Sequence, residues 1–292
     1  MKSCLACRRT WEAAGWICPQ CGWKPAAIDG FLAFAPELSA DHEGFDNKFF
    51  EQLAAIEPES FWFRNRNALI IWALRTYFPR AKRLLEIGCG TGFVLQGIHR
   101  ALPEGELFGS EVLIAGLPFA RARVPAAELY QMDARRIPFD SDLDVAGAFD
   151  VIEHIEDDEV VLREMLRAVR PGGGIVLTVP QHRFLWGVTD EVAHHRRRYA
   201  RSELVMKVRS AGFEVVRATS FVATILPLML VSRWRQRGVT AEEFDEMAEH
   251  NIPRWMDHML RVPVAVERGL IRAGISLPFG GSLLLVGRRP GA

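Results

Sequence analysis

The stretch Leu84-Leu85-Glu86-Ile87-Gly88-Cys89-Gly90-Thr91-Gly92 constrains this chain more than any other. Apolar residues lead into a cluster of glycines, and Phe93, Val94, Leu95 and Ile98 follow at helical spacing. The pattern predicts a buried strand, a tight turn and a helix start. Glycine admits positive φ and lets backbone approach a ligand with no Cβ in the way. The helix N-terminus beyond it offers free N–H groups. A turn of this kind is suited to holding a ligand.

Its spacing departs from the dinucleotide fingerprint Gly-x-Gly-x-x-Gly. Gly88 and Gly90 fit, but the third glycine is Gly92, and Phe93 stands at the fingerprint position. The next apolar segment, Leu107-Phe108-Gly109-Ser110-Glu111-Val112, carries an acid at its end. That acid lies about 20 residues on, where a doubly wound sheet presents a carboxylate to ribose hydroxyls. A third segment, Leu129-Tyr130-Gln131-Met132, runs into Asp133-Ala134. Glycine turn, ribose acid and a second acid, in that order, resemble the class I S-adenosylmethionine (SAM) methyltransferases over roughly residues 60–290.

The resemblance implies an α/β fold: a Rossmann-like seven-stranded sheet with helices on both faces. Further strands are expected at Leu143 to Phe149, Ile175 to Pro180, Glu214 to Arg217 and Ser282 to Gly287, with helices from Asp157 to Val169 and Arg201 to Ala211. It also implies cofactor contacts. Backbone at Gly88, Cys89 and Gly90 would pass against the methionine part, and Glu86 would hold its amino group. Glu111 would take the ribose hydroxyls and Val112 would pack on adenine. Asp133 would accept from the adenine amine near the Ala134 N–H, and Phe149 would border the sulfonium.

The N-terminus carries two Cys-x-x-Cys knuckles, Cys4/Cys7 and Cys18/Cys21. Four thiolates suit tetrahedral zinc, and a segment this small needs a metal to fold. We therefore expect a structural zinc ribbon at 1–30, a connector at 31–45 and a methyltransferase domain at 46–292. Residues 222–278 are expected as an insertion roofing the acceptor side. The five cysteines, with no apolar leader ahead of them, fit reduced thiols and a cytoplasmic setting. No apolar run is long enough to span a bilayer. The formal net charge of zero argues against a strongly basic nucleic-acid binder.

Acceptor chemistry is expected just after the fifth strand. His182 and His195 are the general-base candidates, since imidazole titrates near neutral pH. Arg196-Arg197-Arg198 suits either an anionic acceptor or a solvated face with one acid-paired arginine. Arg64 or Arg66 in the lead-in helix could meet a carboxylate. Asp150, Glu153 and His154 sit where ubiquinone-biosynthesis O-methyltransferases, which look similar at this turn, place a divalent metal. The leading reading is methyl transfer to O or N of a small acceptor, in a chain free to oligomerise. Its rivals are a zinc-ribbon RNA methyltransferase and a non-catalytic SAM- or partner-binding scaffold.

Overall fold

In the computed structural model, residues 1–39, 47–236, 238–240, 242, 244 and 252–291 are described. The N-terminal part holds β1 (Lys2–Ser3), β2 (Thr10–Trp11), β3 (Ala26–Ile28) and β4 (Phe31–Ala33), then α1 (Asn47–Ile56) and α2 (Phe61–Tyr77). Strand and helix then alternate: β5 (Arg83–Ile87), α3 (Phe93–Ala101), β6 (Glu106–Glu111), α4 (Leu117–Arg123), β7 (Glu128–Gln131), β8 (Leu143–Phe149), α5 (Asp158–Ala168) and β9 (Val169–Pro180). The chain closes with α6 (Val188–Val192), α7 (Arg201–Ser210), β10 (Glu214–Phe221), α8 (Leu226–Arg235), α9 (Arg254–Arg272) and β11 (Ser282–Arg288).

Seven strands lie in the order β10-β11-β9-β8-β5-β6-β7. The run from β9 to β7 is parallel, and β11 enters antiparallel between β9 and β10. Every residue of β8 is buried, as expected of a central parallel strand covered on both faces. Val161, Leu162, Met165, Leu204 and Val208 of α5 and α7 pack into one core. Leu69, Ile70, Val94, Leu95, Leu117 and Ile271 of α2, α3, α4 and α9 pack into the other.

The sheet is wider than the seven strands expected. β4 pairs in parallel with β7, and β3 pairs antiparallel with β4, giving nine strands. Residues 26–28 were expected in the ribbon and 31–33 in a connector. They instead cover an edge that would otherwise expose unpaired N–H and C=O groups. The buried Gln131 side chain locks the joint: Ala35 N–H donates to its Oε1 (3.1 Å), and its Nε2 donates to Ala35 O (2.8 Å) and Val112 O (3.0 Å). Trp16 then packs edge-on against Phe34, Tyr130 and Phe139, seating the cysteine-bearing turn on the main core. The hydrogen bond Ser3 N–H to Pro138 O (2.9 Å) ties the same parts together.

Between β10 and β11, α9 packs along α2. Asp257 accepts from Phe61 N–H (2.5 Å), and Arg268 donates to Asn65 Oδ1 (2.7 Å). Glu267, 1% exposed, accepts from the backbone N–H groups of Val222, Ala223 and Thr224 at 2.5–2.9 Å. α8 meets the segment after β9, where Arg233 donates to Leu185 O (3.2 Å) and Thr189 Oγ1 (2.7 Å). Most of the connector beyond residue 39, and most of the polar stretch from Glu242 to His250, lie outside the described residues.

Candidate functional site

β5 delivers the glycine turn to the C-terminal edge of the sheet, where open α/β sheets bind ligands. Gly88, Gly90 and Gly92 have φ of 66°, 49° and 78°. A Cβ on Gly88 would lie 2.4 Å from Val151 Cγ2, and one on Gly92 would lie 2.8 Å from the Ala120 Cα. Those two glycines let neighbouring elements close in. A Cβ on Gly90 would meet nothing within 4 Å, so the turn opens onto free space there. Cys89 is buried, its sulfur against Gly109 of β6.

Glu111 ends β6 and is wired to this turn. Its Oε2 accepts from Gly90 N–H (2.9 Å), while Oε1 accepts from Val112 N–H (2.8 Å) and Leu113 N–H (3.2 Å). Burial raises its pKa, and these three donors oppose the rise. Glu86, next to it in the sheet, is buried with Oε2 lacking any partner among the described residues. Burial pushes its carboxyl well above the usual range; Arg66 pulls it down, and Glu57 and Glu111 add to the rise. An orphaned buried oxygen beside an open turn calls for a donor from outside the chain. The residues therefore fit a ligand carrying a cationic or N–H group next to a hydroxylated ring.

Sequence reasoning missed the clamp over this turn. Glu57, just after α1, accepts from Thr91 Oγ1 (2.5 Å) and pairs with Arg123, which also donates to Thr91 Oγ1 (2.6 Å). Neither residue belongs to a periodic or glycine-rich pattern, so nothing local marks them. Asp133, after β7, accepts from Arg135 N–H (2.9 Å) and ion-pairs with its guanidinium (3.0 Å). Ala134 beside it is buried in the core. Phe149 ends β8 with its ring against Gly147, where a Cβ would lie 2.5 Å from the ring.

On the far side of the crevice the groups are side chains. Arg66 of α2 pairs with Asp150, which also accepts from Thr178 Oγ1 (3.2 Å), and stacks over Trp62. His182 stacks with Phe184 and with Phe279, with ring centroids at 4.8 and 5.8 Å. Burial, aided by Arg198, lowers its pKa. His195 does not share that stack: its Nδ1 bonds Asp190 Oδ1 at 2.8 Å. Asp190 is fully buried and also accepts from Arg198 Nε (2.7 Å) and Gly187 N–H (2.9 Å). Burial opposes its ionisation, but His195 and Arg198 outweigh that and hold its carboxyl below the usual value. Of the arginine run, Arg198 is thus a buried partner of Asp190, and Arg197 pairs with Asp158 (3.0 Å). Neither side chain stands free for an anionic acceptor.

The four N-terminal thiols converge. Cys4 and Cys21 sulfurs are 3.6 Å apart, as are those of Cys7 and Cys18, and all four lie within 4.8 Å of one another. Zinc–sulfur bonds of about 2.3 Å in a tetrahedron require sulfurs roughly 3.8 Å apart. The set is therefore compatible with a closed zinc site.

Residues 85–177 match the family model described as a methyltransferase domain. The chain is 27% identical over 169 residues to a Mycolicibacterium smegmatis protein named "Probable S-adenosylmethionine-dependent methyltransferase", covering 56% of this chain and 63% of that one. It is 27% identical over 186 residues to the fatty-acid O-methyltransferase of the same organism, covering 58% and 64%. Among solved structures, phosphoethanolamine N-methyltransferase 2 of Haemonchus contortus aligns with a TM-score of 0.56 at 18% identity, over 84% of this chain and 57% of that one. At that identity the likeness speaks for the fold. The matched stretch spans less than two thirds of each of these curated relatives.

Proposed function

We propose, from the premise that this chain carries a class I SAM-dependent methyltransferase domain, that it transfers a methyl group to an oxygen or nitrogen of a small acceptor. The observation that carries the reading is the Gly90–Glu111 unit, a glycine turn open to space and bonded to the carboxylate at the end of the next strand. When bound, SAM supplies an electrophilic methyl on a sulfonium. Glu86 would take the amino group with its orphaned Oε2, while the Gly88–Gly90 backbone passes alongside. Glu111 would hold the ribose hydroxyls, Val112 and Asp133 would border the adenine near the Ala134 N–H, and Phe149 would shield the sulfonium.

Methyl transfer is an in-line displacement in which alignment supplies much of the rate. The chain's part is thus to hold two reactants and keep water out. On the acceptor side the reading assigns His195 rather than His182 to prepare the acceptor atom. Asp190 orients the His195 ring, whereas His182 stacks against two phenylalanines. The cysteine set would hold one structural zinc ion, and α8 and α9 would form the acceptor-side cover. Among the described residues, no helix is long and apolar enough to cross a membrane.

Calorimetry with SAM tests the core of this reading. Glu111→Ala should weaken binding by tenfold or more, about 1.4–3 kcal/mol for a charged hydrogen-bonding partner. Unchanged affinity removes the ribose assignment. Screening hydroxylated, carboxylated and amine compounds for S-adenosylhomocysteine release then identifies the acceptor.

A further inference from the structure

Glu153 is the least expected side chain in the molecule. It is fully buried, and neither carboxylate oxygen has a hydrogen-bond partner among the described residues. Buried carboxylates are otherwise paired or bound to a metal, because desolvating one without compensation is costly. Two imidazoles stand beside it, while Asp150, Arg66 and Arg198 are near enough to act on its charge without hydrogen-bonding its oxygens. Ligand atoms of Glu153, His154 and His195 all lie within 4.8 Å of one another, and the two rings meet edge to face with centroids 4.7 Å apart. The sequence suggested Asp150 as a third ligand with Glu153 and His154. In the structure Asp150 is engaged by Arg66 and Thr178, and His195 stands in the set instead.

We propose that Glu153, His154 and His195 form a second metal site, which takes a divalent first-row transition ion and leaves a coordination position for an oxygen of the acceptor. Three features of the geometry carry this. The donor set, two imidazoles and one carboxylate, suits zinc, cobalt, iron or manganese, and three protein ligands leave the ion open. His195 already has the support that metal-ligating histidines require. Its Nδ1 faces the buried Asp190 carboxylate at 2.8 Å, which fixes the ring and leaves Nε2 as the coordinating atom. The segments are pinned together, since Arg196 N–H donates to Glu153 O at 2.8 Å. Tetrahedral ligands at about 2.1 Å from an ion stand roughly 3.4 Å apart, so binding would draw the three together from separations of at most 4.8 Å.

The acceptor half of the proposal rests on the methyltransferase reading; the ion-binding half does not. The site follows β8 and borders the loop after β9, at the same sheet edge as the glycine turn. An acceptor hydroxyl on the ion would lose its proton to solvent more readily. Its oxygen lone pair would form the new C–O bond while the C–S electron pair stays with the departing neutral thioether. His195 would then act as a ligand and not as the proton acceptor.

The test uses the full chain with zinc retained in its cysteine set, titrated with Co²⁺ and followed by visible absorption and calorimetry. One further ion per chain is expected, giving d–d bands without thiolate charge transfer. His195→Ala and His154→Gln should each weaken it by at least tenfold while SAM affinity stays within twofold. Equal Co²⁺ binding in both variants, or none in the wild type at millimolar Co²⁺, overturns the site. If a variant misfolds, pulsed electron paramagnetic resonance on wild-type protein loaded with Mn²⁺ decides. Imidazole nitrogen coupling is expected, and its absence overturns the proposal. Co²⁺ binding in protein that fails to bind SAM would keep the metal site and remove the methyltransferase reading.

Discussion

The two sides of the crevice are made of different material. Around the glycine turn, backbone does the holding: Gly90, Val112 and Leu113 present N–H groups to one carboxylate, and Glu86 Oε2 has no hydrogen-bond partner among the described residues. Around Asp190, side chains hold side chains, with Arg198 and His195 on one buried carboxylate. The charges follow suit. Burial drives Glu86 and Glu111 toward their neutral forms, whereas Asp190 and Asp158 are kept ionised by cationic neighbours. The turn side is poised for a cation it does not itself supply. On the other side Asp190 already has its cationic partners and serves as a rigid wall, and Glu153 is the carboxylate there whose oxygens have no hydrogen-bond partner among the described residues.

The largest effect should come from breaking that wall. Asp190→Ala leaves Arg198, 5% exposed, buried without its anion, a loss of about 3–5 kcal/mol for a broken buried pair. Thermal unfolding would read it directly. If the variant folds at low temperature, its SAM affinity should match the wild type, because Asp190 touches nothing at the glycine turn. A drop in SAM affinity comparable to that of Glu111→Ala would show that the two sides are one unit.

The converse change acts on the turn. Gly88→Ala places a methyl 2.4 Å from Val151 Cγ2 at a φ of +66°. Overpacking and a left-handed alanine cost about 1–3 kcal/mol each. Val151 precedes the Glu153 segment, so this one substitution pushes on both sides. SAM binding should be lost or weakened at least tenfold by calorimetry. Gly90→Ala, which meets open space, should disturb stability less and ligand binding as much. Equal SAM affinity in Gly90→Ala and wild type would place the ligand elsewhere.

The same division explains what the sequence made legible. The turn side is built from consecutive residues: strand, glycines and a strand-end acid appear in the order of Ile87, Gly88 and Glu111, and periodicity exposes them. The wall depends on residues far apart in the chain. Asp190 reads as ordinary surface charge, Glu153 stands out only through its place in the turn and Arg198 only as one of three arginines; the burial of all three arises when the loop after β9 folds back beside β8. Glu57, Arg123 and Glu267 escaped notice for the same reason, since each acts on backbone or side chains tens of residues away. β3 and β4 escaped because three-residue strands show too few alternations to register against the cysteine-rich surroundings.

The smallest predicted effect, a pH dependence, separates the two sides most cleanly. Glu86 has its folded pKa raised above the ordinary 4.5, so the stability it contributes is fully present below 4.5 and is lost as pH rises through the folded value. Asp190 runs the other way. Its folded pKa is depressed below 3.8, so its contribution is present above 3.8 and is lost as pH falls through the lower folded value. A ligand ammonium set against Glu86 favours the carboxylate, so binding at pH values between the ordinary 4.5 and the raised folded value should release a proton and tighten as pH rises, by at most tenfold per unit. Calorimetry in two buffers of different ionisation enthalpy measures that release. Glu86→Gln should abolish it, while His195→Ala should leave it intact. Proton release that persists in Glu86→Gln and disappears in His195→Ala would move the titrating group across the crevice and reverse the assignment of which side meets the cation.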